Sequence, residues 1–181
     1  MTDQEILASC AAGDTDAFES IVRKYQPRVL AVAWSVLGHR EDARDAAQDI
    51  FVQCFRNLHR YDPARDFKNW LLAIAYKMSL DRRRKTVTFR RFLERFGPES
   101  SPGPGRNEEP AFVRKNALSP HIERLRPRER AVVLLKIHEE RSYREIAGIL
   151  GCSEGSARVH FFNAKRKLKC ELERTSHVPS P

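Results

Sequence analysis

Residues Gly97–Pro110 read Gly-Pro-Glu-Ser-Ser-Pro-Gly-Pro-Gly-Arg-Asn-Glu-Glu-Pro, and no other stretch constrains the chain as much. Proline removes backbone donors, glycine raises the entropy cost of order, and the stretch offers no apolar face to bury. It is expected to be a flexible, slightly acidic linker that divides the 181 residues into two small domains, 1–96 and 111–181.

Both flanking parts carry helical spacing. Phe18, Ile21, Val22, Tyr25, Val29, Val32 and Val36 share roughly one face, with Pro27 predicting a kink or two consecutive helices and Gly38 a stop. A second helix is predicted from about Glu41 to Leu58, with Ala43, Ala46, Ala47, Ile50, Phe51, Cys54, Phe55 and Leu58 inward. After a loop at His59–Asp66, a third begins near Phe67, carries Trp70, Leu71, Ile74, Ala75 and Met78, and ends in Asp81-Arg82-Arg83-Arg84-Lys85.

Beyond the linker, Pro127 suits a helix start ahead of Arg130–Ile137. Ser142-Tyr143-Arg144-Glu145 has the form of a capping box opening a helix to Leu150. Gly151-Cys152-Ser153 then makes a tight turn, and Ser153 caps a basic helix running to about Leu172. A short helix, a three-residue turn and a long basic helix form the helix-turn-helix layout. Strand signals are scarce, so the expected fold class is all-α: two small helical domains, the C-terminal one a helix-turn-helix.

Charge narrows the function. The net charge is +9, but residues 1–76 hold nine basic and eleven acidic side chains, 77–96 eight and two, and 111–181 fifteen and eight. Two basic zones separated by near-neutral protein suit nucleic acid better than a uniformly basic solubilising surface would. In the last helix, Ala157, Phe161, Ala164 and Leu168 form the packing face, leaving Glu154, Ser156, Arg158, His160, Asn163 and Lys165 mostly outward. Near the start of such a helix Arg favours guanine and Asn favours adenine, while Lys165, Arg166, Lys167 and Lys169 suit phosphates. In the third helix Phe67, Lys68, Trp70, Tyr76 and Lys77 mix rings with cations, which suits single-stranded DNA, although Trp70 on an amphipathic helix reads first as a core residue.

Other classes find little support. Cys10, Cys54, Cys152 and Cys170 form no C-x-x-C pair, and Cys152 reads as a small apolar residue rather than a redox sensor. His138-Glu139-Glu140 is followed by Ser142 where a metalloprotease needs histidine, and no Gly-rich phosphate loop exists. No catalytic group, metal or cofactor is expected. The polar start Met1-Thr2-Asp3-Gln4-Glu5 is not a signal peptide, and no apolar run is long enough to span a bilayer, so a cytoplasmic location is expected. The rivals are a helix-turn-helix regulator acting alone, an enzyme on DNA, and a protein-only regulator that captures other proteins and does not read DNA.

Trp70-Leu-Leu-Ala-Ile-Ala-Tyr-Lys-Met-Ser-Leu-Asp-Arg-Arg-Arg84 resembles the −10-reading helix of extracytoplasmic-function (ECF) sigma factors, in the sigma-70 family. Ala47-Gln48-Asp49-Ile50-Phe51 resembles their polymerase-docking helix. Leu125–Arg130, Ser142–Ala147 and Gly155–His160 resemble their −35-reading domain. The resemblance implies that Asp45, Gln48, Asp49 and Phe51 contact core RNA polymerase. It implies that Lys68, Asn69, Lys77, Arg82, Arg83 and Arg84 contact the −10 strand, and that the His59–Asp66 loop holds a flipped-out base. Glu154, Ser156, Arg158, His160, Asn163, Lys165 and Arg166 are the corresponding −35 candidates. The partners implied are core polymerase, promoter DNA and an anti-sigma factor, with the free protein a monomer. Lys77, Ala73, Tyr76, Ala157, Val159 and His160 depart from the family's usual residues, so its promoter preference does not transfer.

Overall fold

The computed structural model of the chain describes residues 2–12, 14–96 and 119–176, and every regular element among them is helical. The expected linker 97–110, and residues 111–118 of the second domain, lie outside the described residues.

The N-terminal domain opens with a helix that the periodicity did not single out, α1 (Asp3–Ala11). Thr2 and Glu5 close a capping box, the Glu5 N–H donating to Thr2 Oγ1 and the Thr2 N–H to Glu5 Oε2. Ile6, Leu7 and Cys10 are buried, and Lys24 and Tyr25 of the next helix both donate to Asp3.

Helix α2 (Ala17–Leu37) runs unbroken through Pro27, where a kink or a break was expected. Pro27 and Arg23 both lie on the exposed side, so the carbonyl that proline leaves unpaired faces water. Interior proline costs a helix ~3 kcal/mol. Tyr25, Val29, Val32, Trp34 and Val36 are buried on either side of it, and at roughly 1.5–3 kcal/mol each their burial outweighs that loss. Gly38 then stops the helix at φ +80°, a conformation that glycine adopts without strain.

Helix α3 (Arg40–Arg56) buries Ala43, Ala46, Ala47, Ile50, Phe51 and Cys54 of the predicted face. Phe55, also predicted inward, instead lies at the rim edge-on to Phe18 and is 36% exposed, and Leu58 falls beyond the helix. A 3₁₀ turn at Leu58–Arg60 leads to α4 (Phe67–Phe96), which continues 11 residues past the predicted end at Lys85 because no glycine or proline occurs before Gly97.

The C-terminal domain comprises α5 (Ser119–Glu123), α6 (Pro127–Val133), α7 (Tyr143–Leu150) and α8 (Glu154–Ser176). After α6 the helix loosens into a π-turn over Leu134–His138, with the Glu139 N–H reaching back to the Leu134 carbonyl. Glu140 follows at φ +53°. The Ser142–Glu145 capping box forms as predicted, and Ser153 Oγ accepts from the Ser156 N–H at the start of α8. Replacing Ser142 with Ala is expected to cost ~1 kcal/mol in urea unfolding, and an unchanged midpoint would refute its capping role.

The two domains pack against each other, α2 on α6 and α4 on α7. Leu125, Val133, Ala164 and Leu168 form a small core within the C-terminal domain. Leu135, Ile146 and Leu150 instead join one continuous cluster with Trp34, Leu72 and Tyr76 of the N-terminal domain. The Arg130 guanidinium lies 5.2 Å from the Trp34 ring centroid, and burial pushes its pKa down to about 10 despite the Glu123 charge nearby. No linear pattern announced this closed arrangement.

Candidate nucleic-acid and polymerase interface

Helix α8 follows α7 across the Gly151 turn, φ +63°, which sets the long basic helix across the domain face. Ala157, Ala164 and Leu168 are buried and Phe161 partly so, as predicted. The exposed stripe runs through Gly155, Arg158, Val159, Phe162, Lys165, Arg166 and Lys169. Ser156, His160 and Asn163 lie at its edge, half-buried, so they are less open than the spacing suggested.

Val159 (57% exposed) and Phe162 (65%) form an apolar strip between cations that sequence reasoning missed. The available signal was the spacing of 158, 162 and 165, one face at i, i+4 and i+7. Arg158 is held on two sides. Glu154 Oε1 accepts from it at 2.6 Å, and its guanidinium sits 4.8 Å from the Tyr143 ring, whose own contacts include Lys136 at 4.9 Å. A guanidinium fixed in this way loses less freedom on reaching a base edge.

Helix α3 turns Asp45, Gln48 and Asp49 outward, whereas Phe51 points into the core at 7% exposure. The apolar surface on this helix comes from Val52 and Phe55 instead. Phe51 sits at the buried phase of the helix, one turn after Ala47, which fixes its direction.

The six candidates on α4 have different fates. Lys77 and Arg84 are exposed, with Arg84 paired to Asp81, and Arg83 is half-buried. Arg82 reaches across to α3, 3.5 Å from Asp45 and 3.4 Å from Asp49, linking two sets of residues assigned to different partners. Lys68 and Asn69 are engaged by the C-terminal domain. The Lys68 ammonium pairs with Glu139, and Asn69 Nδ2 donates to Glu145 Oε1 at 3.0 Å.

Trp70 is partly buried, tilted against Tyr61 (5.2 Å) and Phe67 (5.8 Å), so its ring belongs to the core edge. Beside it the His59–Asp66 loop borders an apolar recess of about 350 Å³ lined by Leu7, Leu58, Tyr61 and Pro63. Cys152 is half-buried, and Cys10 and Cys54 are buried.

Glu145 holds its carboxyl at about 2, well below 4.5, first through the Asn69 hydrogen bond, then through Ser142 and Arg141. Its folded-state value is depressed, so its stabilisation is complete above about pH 4.5 and is lost as pH falls towards 2. Acidification from pH 5 to 3 should therefore loosen the domain contact. In small-angle scattering the radius should rise through that window, with a smaller pH response in Asn69→Ala. Identical profiles for the two proteins would count against the coupling.

Comparison with known proteins finds two matched regions along the chain. Residues 21–88 match the family described as Sigma-70 region 2, and residues 121–168 match Sigma-70, region 4. The chain is 29% identical over 170 residues to the ECF RNA polymerase sigma factor SigW of Bacillus subtilis, covering 88% of this chain and 91% of that protein. It is 30% identical over 173 residues to ECF sigma factor SigE of Mycolicibacterium smegmatis, covering 92% and 66% respectively. Among solved structures, sigma factor RpoE in complex with the anti-sigma factor NepR from Bartonella quintana has the same fold, with a TM-score of 0.69 at 20% identity over 86% of this chain and 96% of that one.

Proposed function

Because the chain belongs to the sigma-70 family and carries both its region 2 and its region 4, we propose that it is an ECF transcription initiation factor. It binds core RNA polymerase and directs it to promoters by reading the −10 and −35 elements, under the control of an anti-sigma factor. The observation that carries this reading is the order of the two matched regions on one chain, each contributing a helix with an exposed basic face. A regulator acting alone would need only the second.

The work is binding and not bond-making. Residues 1–96 would dock on polymerase through Asp45, Gln48 and Asp49 and capture the −10 strand. Residues 111–181 would seat α8 in the −35 major groove. Two modest contacts on one tether combine into a stronger one, since the second becomes intramolecular. Polymerase works in the bacterial cytoplasm, and among the described residues no helix is long and apolar enough to cross a membrane. The docking face and the −35 stripe are open in the closed protein. Polymerase can therefore engage before the domains part.

The test is transcription by purified core polymerase, with and without the protein, on a pool of random-sequence promoters. Initiation only with the protein, enriching two spaced motifs, is the expected result. If the protein alone shifts duplex DNA and no initiation occurs, a free-standing helix-turn-helix regulator replaces this reading.

The selected −35 motif also tests Phe162. Its ring has an apolar partner in the major groove, the thymine methyl. Replacing one thymine by deoxyuridine should weaken wild-type binding several-fold, by ~1 kcal/mol, and leave Phe162→Ala unaffected. Equal losses in both proteins would assign Phe162 no part in readout.

A further inference from the structure

Glu139 is the most confined carboxylate between the domains. Its side chain is 2% exposed, and it belongs to the C-terminal domain while two of its cation partners belong to the N-terminal one. Arg28 Nε of α2 donates to Oε2 at 3.3 Å, and the Lys68 ammonium of α4 pairs with the same oxygen. The third contact is local, from His138 Nδ1 to Oε1 at 3.4 Å. Arg28 and Lys68 lie 40 residues apart in sequence, on different helices, yet converge on one anionic oxygen.

Three features make this more than a surface ion pair. Arg28 is positioned by its own domain, with a second nitrogen on the Lys24 carbonyl (3.1 Å) and its guanidinium 5.9 Å from the Tyr25 ring. Next to Lys68, Asn69 has a buried Oδ1 with no hydrogen-bond partner while its Nδ2 serves Glu145. The turn that presents Glu139 is itself strained, because Glu140 takes a left-handed conformation that costs a residue with a side chain roughly 1–2 kcal/mol. Strain of this kind persists where the surrounding contacts hold it.

Two fixed cations aimed at one oxygen also suit a non-bridging oxygen of a phosphodiester. Arginine and lysine are the usual donors to such oxygens. Lys68 and Asn69 stand on the helix proposed above to capture the −10 strand, so the next anion they would meet is that strand's backbone. We propose that Arg28 and Lys68 form a phosphate-binding site for the −10 strand, which the Glu139 carboxylate fills while the two domains are closed. Arg28 thereby becomes a DNA-binding residue, and Glu139 an internal competitor of the promoter. The inference rests on the proposed sigma function.

The experiment uses holoenzyme assembled from core polymerase and the full chain, on a forked promoter taken from the selection above. Single phosphates of the unpaired −10 strand are replaced in turn by neutral methylphosphonate. One replacement should weaken wild-type binding roughly tenfold. Arg28→Gln and Lys68→Gln should each bind the unmodified fork more weakly, reduce the salt slope by about one, and be insensitive to that replacement. Arg28→Lys should recover part of the loss, which separates charge at this position from misfolding. Glu139→Gln should raise the affinity of the free chain for the single strand several-fold and leave the assembled promoter complex unchanged.

Arg28→Gln holoenzyme with wild-type affinity, salt slope and methylphosphonate sensitivity overturns the site. Glu139→Gln without effect on the free chain overturns the competition. If wild-type holoenzyme forms no promoter complex, the sigma reading itself fails and removes the inference with it.

Discussion

Cross-linking the domains across the Asn69–Glu145 contact is expected to lower promoter-dependent initiation roughly a hundredfold or more. The protein would carry Asn69→Cys and Glu145→Cys joined by a short bis-maleimide, with Cys152 and Cys170, the two cysteines not buried, changed to serine. Elements named for positions 25 base pairs apart lie roughly 85 Å from each other along B-form DNA. The closed protein packs α4 directly on α7 and cannot span that distance. Once the domains part, residues 97–118 can reach up to about 75 Å at full extension and the widths of the two domains supply the remainder. Polymerase binding should survive, since Asp45, Gln48 and Asp49 face outward in the closed form. The comparison is with the same double-cysteine protein left unlinked, which already lacks Asn69 and Glu145. If the linked protein initiates as well as the unlinked one, domain opening is not part of initiation.

The second large effect is on stability. Trp34→Ala is expected to destabilise the protein by about 3–5 kcal/mol, read from the urea midpoint. Trp34 is 1% exposed in the middle of the N-terminal core, and its Nε1 has no hydrogen-bond partner, so its contribution is packing. The substitution also removes the ring beneath Arg130, leaving a buried guanidinium from the other domain without its aromatic face. Domain contact should therefore weaken along with the core. Trp34→Phe keeps a ring at the position and should lose much less. A loss below about 1 kcal/mol for Trp34→Ala would show that the core collapses around the cavity, and that the ring is not its keystone.

The signals legible along the chain are local. Gly38 and Gly151 ended helices, Ser142 with Glu145 and Ser153 capped them, and the 3.6-residue period placed Ala43, Ile50, Ala157 and Leu168 inside. These signals act between residues at most four apart, so one chain displays them without its partners. The same period also gave the inward turn of Phe51 and, followed strictly, contained the outward turn of Phe162. Only the resemblance put Phe51 on the polymerase-docking face, against that period. The Thr2–Glu5 box of α1 was equally legible.

The contacts that join distant helices became visible in the folded chain alone. Arg82 pairs with Asp45 and Asp49 across α3 and α4, Asn69 meets Glu145 76 residues later, and Arg28 meets Glu139 111 residues later. The same holds for Pro27, whose break in hydrogen bonding was outweighed by burial against other elements. A charged side chain carries no local mark of its partner, because an ion pair depends on where two surfaces meet in space. That meeting is set by the packing of whole helix faces, which no short window of sequence contains.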